Sequence, residues 1–95
     1  MEIIRGVNDF YVNMLGINPV DSTISYRFNK LIMQIDIDDG KVMFNGLTRS
    51  VVFLYNYELD NLQDIKTYEF LYRAYFLVPE GYDEIEQVKI IRSKL

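Results

Sequence analysis

The sequence contains no cysteine and no histidine. Without cysteine the chain cannot form a disulfide, supply a thiol nucleophile or ligate an iron–sulfur cluster. Without histidine, imidazole zinc sites, histidine-dependent triads and imidazole general bases are excluded. Aspartates and glutamates are present, but no spacing between them singles out an acid–base pair. We therefore predict that the chain is not an enzyme and that it binds no cofactor and no metal.

Positive charge and long apolar runs are also scarce. The chain has 10 lysines and arginines against 14 acidic residues, a net charge of −4. Because nucleic-acid affinity comes largely from cations that neutralise phosphates, we expect no nucleic-acid partner. Glu2, Arg5 and Asp9 interrupt the first residues, so no signal peptide or membrane span is expected there. We expect a cytoplasmic protein with no membrane partner.

The N-terminal residues have helical periodicity. Their apolar positions lie three or four residues apart, as in an amphipathic helix: Ile3, Ile4, Val7, Phe10, Tyr11, Met14 and Leu15. A loop at Asn18-Pro19 and Asp21-Ser22-Thr23 follows. The sequence thus divides into a helix and loop over residues 1–20 and a second unit over residues 24–95. The helix either packs on its own domain or docks a partner protein.

Strict alternation marks a strand before Asp39-Gly40. Leu31, Met33, Ile35 and Ile37 fall on one face of this strand. Asp39-Gly40 is a two-residue hairpin turn, which pairs Ile37 with Val42 and Ile35 with Phe44 on one face. A calcium loop at Asp36, Asp38 and Asp39 is excluded because the required glycine and distal glutamate are missing.

A second turn at residues 45–49 leads to a third strand, Ser50 to Leu54. This strand is apolar on both faces, which is typical of a central strand or of an edge that another segment covers. In a meander of three strands it lies at an edge unless the first strand folds beside it.

Helical periods return after Tyr55. Leu59, Leu62 and Ile65 suit one short helix, and Tyr68, Leu71, Tyr72 and Tyr75 suit a second. Asp83 and Glu86 have the spacing of a capping box for a last helix, whose apolar face comprises Ile85, Val88, Ile91 and Leu95. The predicted fold is therefore α+β and winged-helix-like. It has a three-stranded antiparallel sheet followed by three helices, with an extra N-terminal amphipathic helix.

Three short motifs in this order carry a resemblance to a known family. They are Tyr26-Arg27-Phe28-Asn29, Asp39-Gly40-Lys41 and Phe44-Asn45-Gly46-Leu47-Thr48. Together they resemble the RiPP recognition element, the domain that binds leader peptides in ribosomal-peptide modification. The likeness covers residues 25–95 and includes the segment from Phe76 to Glu84. The family carries a glycine shortly after Leu-Thr, where this chain has Arg49.

The resemblance points to radical SAM peptide modification. It is to the N-terminal domain of radical SAM/SPASM maturases, or to a free-standing accessory protein of a splicease-type radical SAM enzyme. The methionine at position 1 favours the free-standing form. The expected partners are a precursor (leader) peptide and a radical SAM modifying enzyme, and a homodimer is a further expectation.

The resemblance also implies a binding mode. In that family the leader peptide adds as a strand to the third strand and lies beside the third helix. Carried over to this sequence, the peptide-binding residues are Arg49, Ser50, Val51, Val52, Phe53 and Leu54, with Ile85, Val88, Lys89 and Arg92 of the last helix.

Two other functions are compatible with the sequence. A structural or regulatory adaptor, or an inhibitor, would act through the amphipathic N-terminal helix. A DNA-binding winged helix fits the order of elements but not the acidic charge.

Overall fold

The computed structural model describes residues 1–16, 18 and 20–95. Pro19 of the predicted Asn18-Pro19 loop therefore lies outside the described residues. In chain order, the elements are β1 (Glu2–Arg5), α1 (Asp9–Leu15), β2 (Tyr26–Phe28), β3 (Ile32–Ile37), β4 (Gly40–Asn45), β5 (Val51–Tyr55), a 3₁₀ turn (Glu58–Asp60), α2 (Glu69–Arg73), β6 (Leu77–Pro79) and α3 (Glu84–Ser93).

The strands form two antiparallel sheets. Four of them pair in the order β1-β5-β4-β3, and β2 pairs with β6 in a separate two-stranded sheet. The predicted architecture, a three-stranded sheet followed by three helices, is therefore wrong. The sheet gains a strand from the N-terminus, and short helices alternate with a strand in the second half of the chain.

The N-terminal helix is shorter than its periodicity predicts. Residues 2–5 form β1, and only Asp9–Leu15 are helical. Ile3 and Ile4 are β-branched and favour a strand, while Gly6 disfavours a helix. Asn8 then caps α1, since its side chain accepts a hydrogen bond from the Phe10 backbone nitrogen at 2.8 Å.

The β3–β4 hairpin has the predicted faces but not the predicted register. Ile35 pairs with Val42 and Ile37 with Gly40, so the pairing is shifted by two residues from the predicted one. The turn is therefore Asp38-Asp39 rather than Asp39-Gly40. A two-residue shift leaves every side chain on the same face. The positive φ of 50° is at Asp38 rather than at Gly40. Gly40 is needed for space: a Cβ there would overlap the Phe53 ring and lie 2.5 Å from the Leu54 carbonyl oxygen.

The C-terminal half agrees with the sequence at its last helix and, over fewer residues, at the helix predicted through Leu71 and Tyr72. The predicted helix through Leu59 and Ile65 is a single 3₁₀ turn, and α2 covers only Glu69–Arg73. The strand Leu77–Pro79 was not predicted. The cap of α3 is confirmed, because the Asp83 side chain accepts a hydrogen bond from the Glu86 backbone nitrogen at 3.0 Å.

The buried side chains form two clusters on one side of the four-stranded sheet. The larger contains Met43, Val52 and Leu54 of the sheet, packed against α2 and β6. The smaller contains Leu47, Tyr75, Val78 and Ile91. The apolar residues of α1 pack against this second cluster, so α1 packs on its own domain.

Candidate functional site

The turn between β4 and β5 is built by buried polar side chains. The Asn45 side-chain oxygen accepts hydrogen bonds from the Leu47 and Thr48 backbone nitrogens, at 2.9 and 3.2 Å. The Asn29 amide donates to the same oxygen at 3.1 Å. Thr48 and Ser50 share a hydroxyl hydrogen bond of 2.7 Å. Because buried polar groups that are fully bonded fix one geometry, this network sets the path of the chain into β5.

Arg49 lies at the end of this turn, just before β5, in a conformation that favours glycine. Its φ is 66°, in the left-handed region, where a side chain costs roughly 1–2 kcal/mol. The backbone is held there by the Arg49 nitrogen donating to the Asn45 carbonyl at 2.8 Å. Arg49 is exposed, and its guanidinium forms no ion pair with the part of the chain that the structure describes.

A groove runs from Arg49 to the face of α3. We call it the Arg49 groove; it is lined by Tyr11, Gly46, Leu47, Arg49, Val88, Ile91, Arg92 and Leu95. Its volume of about 220 Å³ is below the usual range for small-molecule pockets. Its floor is apolar and two arginines stand at its rim. It therefore suits an apolar side chain of a peptide with an acidic neighbour better than a small metabolite.

Glu84, the first residue of α3, forms a buried ion pair. Arg27 of β2 contacts both carboxylate oxygens of Glu84, with nitrogen–oxygen distances of 2.6 and 3.0 Å. The Lys30 backbone nitrogen also donates to Glu84, at 2.6 Å. These hydrogen bonds, the Arg27 contact first, lower the pKa of Glu84 to about 2 although burial opposes the shift. The start of α3 is thus tied to β2.

The predicted strand-addition edge is paired within the chain. β5 lies between β4 and β1, with Ile3 opposite Val52 and Arg5 opposite Val51. Of the two placements that the sequence left open for this strand, the structure shows the central one, so the edge that the resemblance implies for peptide binding is not free. Ser50, Val51, Val52 and Leu54 are buried, while Phe53 is half-buried. The two apolar faces of this strand reflect its central position.

β1, which covers this edge of β5, is a short strand. It has four residues, all exposed, and its register is interrupted by a bulge between Ile3 and Arg5. Its start is anchored, since the Met1 amine contacts both carboxylate oxygens of Glu58 at 2.7 Å. The pairing of β1 with β5 is therefore irregular, while the ion pair of the Met1 amine fixes the residue that precedes β1.

The four predicted residues of α3 divide into two pairs. Val88 and Arg92 line the Arg49 groove together with Arg49 itself. Ile85 is exposed, and neither it nor Lys89 lines the groove. Five further residues that line the groove were not predicted to bind a peptide: Tyr11, Gly46, Leu47, Ile91 and Leu95. Tyr11 could not be assigned there because no pattern in the sequence indicates that α1 packs beside α3.

The second surface that sequence reasoning missed is the side of the four-stranded sheet that faces away from the core. We call it the outer face; its residues are Ile4, Met33, Ile35, Ile37, Val42, Phe44, Phe53 and Tyr55. Met33 is 68% exposed and Ile35 is 49% exposed. The alternation in β3 does identify this face, but alternation alone does not say which of two faces is buried.

Comparison with protein-family models, with curated proteins and with solved structures gives no match for this chain. Among the described helices, none is both long and apolar enough to cross a membrane.

Proposed function

We propose that this chain is a non-catalytic module that binds the leader region of a ribosomally made precursor peptide. It would present that peptide to a radical SAM modifying enzyme in the cytoplasm. The proposal starts from the three motifs that resemble the RiPP recognition element. The observation that carries it further is the Arg49 groove, which is lined by Arg49, Val88 and Arg92, three residues to which the resemblance assigns peptide binding.

Three residues of the motifs support the turn that forms one side of the groove. Asn29, Asn45 and Thr48 bond one another and the backbone of residues 74–75, so they support the turn from beneath. Gly46 allows close approach, because a Cβ there would lie 2.8 Å from the Leu31 carbonyl oxygen. These residues shape the site, and Arg49, Val88 and Arg92 are left to touch the ligand.

Charge favours an acidic ligand. The chain as a whole carries a net charge of −4, yet Arg49 and Arg92 meet at one groove. Neither guanidinium forms an ion pair within the described residues. A carboxylate on the bound peptide would gain charge-assisted hydrogen bonds from them without competing with an internal ionic partner.

Backbone pairing would come from β5, with the peptide taking the position of β1. Support for this exchange is that β5 already accepts an extended segment along Val51 to Phe53, in antiparallel pairing. A peptide without the bulge between Ile3 and Arg5 would pair with β5 in a more regular ladder. Strand addition of this kind supplies affinity through main-chain hydrogen bonds and specificity through alternate side chains.

Calorimetry with a synthetic leader, taken from a precursor encoded beside this gene, tests the proposal. Arg49→Ala and Arg92→Ala should each weaken binding about five-fold, since a partly exposed charged contact contributes about 1 kcal/mol. Lys66→Ala is the matched control, because Lys66 is exposed and remote from the groove. If the leader does not bind the parent chain at high micromolar concentration, the proposed function is wrong.

A proline in β1 tests the exchange separately. Ile3→Pro weakens the β1–β5 pairing without altering β5. If the peptide replaces β1, the variant should bind the leader more tightly than the parent chain, because less internal pairing has to be lost. Equal or weaker binding, with circular dichroism unchanged, would mean that the peptide lies elsewhere.

A further inference from the structure

The outer face of the sheet is apolar at its centre, and its two ends carry opposite charges. Arg5 and Arg49 border it where β4 ends and β5 begins. Asp38 and Asp39 lie at the opposite end, in the β3–β4 turn, and Glu2 is opposite Phe53 toward that end. None of these five side chains forms an ion pair with another part of the chain that the structure describes.

From this arrangement we propose that the outer face binds a second copy of this chain, forming a twofold dimer by packing face to face. A twofold axis that lies in the plane of the interface, perpendicular to the line from Arg5 to Asp39, brings the positive end of one copy over the negative end of the other. The same contact, Arg5 to Asp39, is then made twice. The dimer proposal does not rest on the proposed function, but the two contacts would compete, because Arg5 lies on β1, which a bound peptide would displace.

The apolar centre supplies the attraction. Met33 and Ile35 from β3 stand beside Phe44 from β4, each at least 40% exposed. Such side chains are normally covered when they are contiguous, because exposed apolar area costs about 25 cal/mol per Å². Two sheets packed on one another place these residues at the roughly 10 Å separation of a sandwich core.

The size of the face sets the strength. Four strands about 4.8 Å apart, with strands of up to six residues, give a face of about 20 by 20 Å. About 400 Å² on each copy falls below the roughly 800 Å² per partner of a standard stable interface. We therefore expect a dimer with a dissociation constant in the micromolar range, which forms and separates readily.

The decisive experiment is a charge exchange between two variants, followed by analytical ultracentrifugation from micromolar to millimolar concentration. Arg5→Glu alone places a glutamate opposite Asp39 in both contacts, so self-association should weaken at least about ten-fold. Asp39→Lys alone places a lysine opposite Arg5 and should weaken it similarly. An equimolar mixture of the two variants restores opposite charges in one of the two contacts and places the two introduced side chains, also opposite in charge, in the other. It should therefore dimerise about as well as the parent chain.

Two further variants test the apolar centre. Ile35→Asp should abolish the dimer, whereas Ile24→Asp should not, since Ile24 is a similarly exposed isoleucine away from the sheet. Circular dichroism must show both variants folded; Met33→Lys replaces Ile35→Asp if the latter unfolds. A parent chain that stays monomeric at millimolar concentration overturns the proposal. So does a variant mixture that associates no better than its components.

Discussion

Removal of the Arg27 guanidinium tests how the start of α3, and with it the Arg49 groove, is held in place. Arg27 forms the ion pair with Glu84 and also donates a hydrogen bond to the Tyr82 carbonyl oxygen at 2.8 Å. The Glu84 side chain is only 2% exposed. We consider Arg27→Met, which keeps a side chain that can pack along β2 but leaves the Glu84 carboxylate without its cation.

The magnitude follows from the pKa of Glu84. Folding lowers that pKa from an ordinary 4.5 to about 2. A pKa difference of about 2.5 corresponds to about 3 kcal/mol of stability at neutral pH. The Arg27 contact is the largest cause of the shift, but the Lys30 backbone hydrogen bond remains in the variant, so the loss should be up to about 3 kcal/mol. A domain of 95 residues has about 5–14 kcal/mol in total, so the variant should fold but melt up to roughly 12–24 °C lower.

The pH dependence distinguishes this reasoning from a general packing defect. Because the folded pKa is the lower one, the stabilisation is complete above about pH 4.5 and is lost as the pH falls through about 2. Near pH 3, about half of the difference between parent and variant should remain. A packing defect would instead give the same difference at both pH values.

Urea unfolding at pH 7 and near pH 3, followed by circular dichroism, measures both quantities. Arg73→Met is the matched control, since Arg73 forms an ion pair with Glu69 whose partners are 58% and 50% exposed. That exposed pair should contribute less than about 0.5 kcal/mol. If Arg27→Met costs no more than this control, or if its cost does not fall with pH, the account of the Glu84 pair is refuted.

Two further substitutions have defined outcomes. Gly40→Ala should lower the free energy of unfolding by about 1–3 kcal/mol, because its Cβ would overlap the Phe53 ring and approach the Leu54 carbonyl; Gly81→Ala, where a Cβ meets nothing within 4 Å, is the control, and equal effects would contradict the close-approach argument. Tyr82→Phe should leave stability unchanged or raise it by about 1 kcal/mol, because the buried Tyr82 hydroxyl has no hydrogen-bond partner within the described residues. A clear loss on thermal unfolding of this variant would reveal a partner for that hydroxyl.

Local signals in the sequence predicted the parts of the fold that local interactions determine. The cap at Asp83 and the faces of the hairpin depend on residues a few positions apart, and both agree with the structure. The register of the hairpin depends on a contact with another strand. Gly40 is placed by Phe53 and Leu54, so its role could not be read from the turn sequence alone.

The larger error arose at the N-terminus, where local periodicity and long-range pairing disagree. Ile3 and Ile4 fit a helical stripe, but pairing with β5 favours the extended form. The apolar character of both faces of β5 did signal that something covers this strand. The sequence contained no information about which segment would do so, because any extended stretch can supply backbone hydrogen bonds.

Arg49 combines a left-handed backbone conformation with an exposed, charged side chain. The turn imposes a left-handed conformation for which glycine is the ordinary residue. A side chain there strains the folded state, and within the described residues it gains no ion pair in return. Such strain persists where the surrounding structure fixes the backbone, as the hydrogen bonds to the Asn45 side chain do in this turn. The same guanidinium borders both the Arg49 groove and the outer face. A bound carboxylate at this one position would therefore bear on both the peptide and the dimer contact.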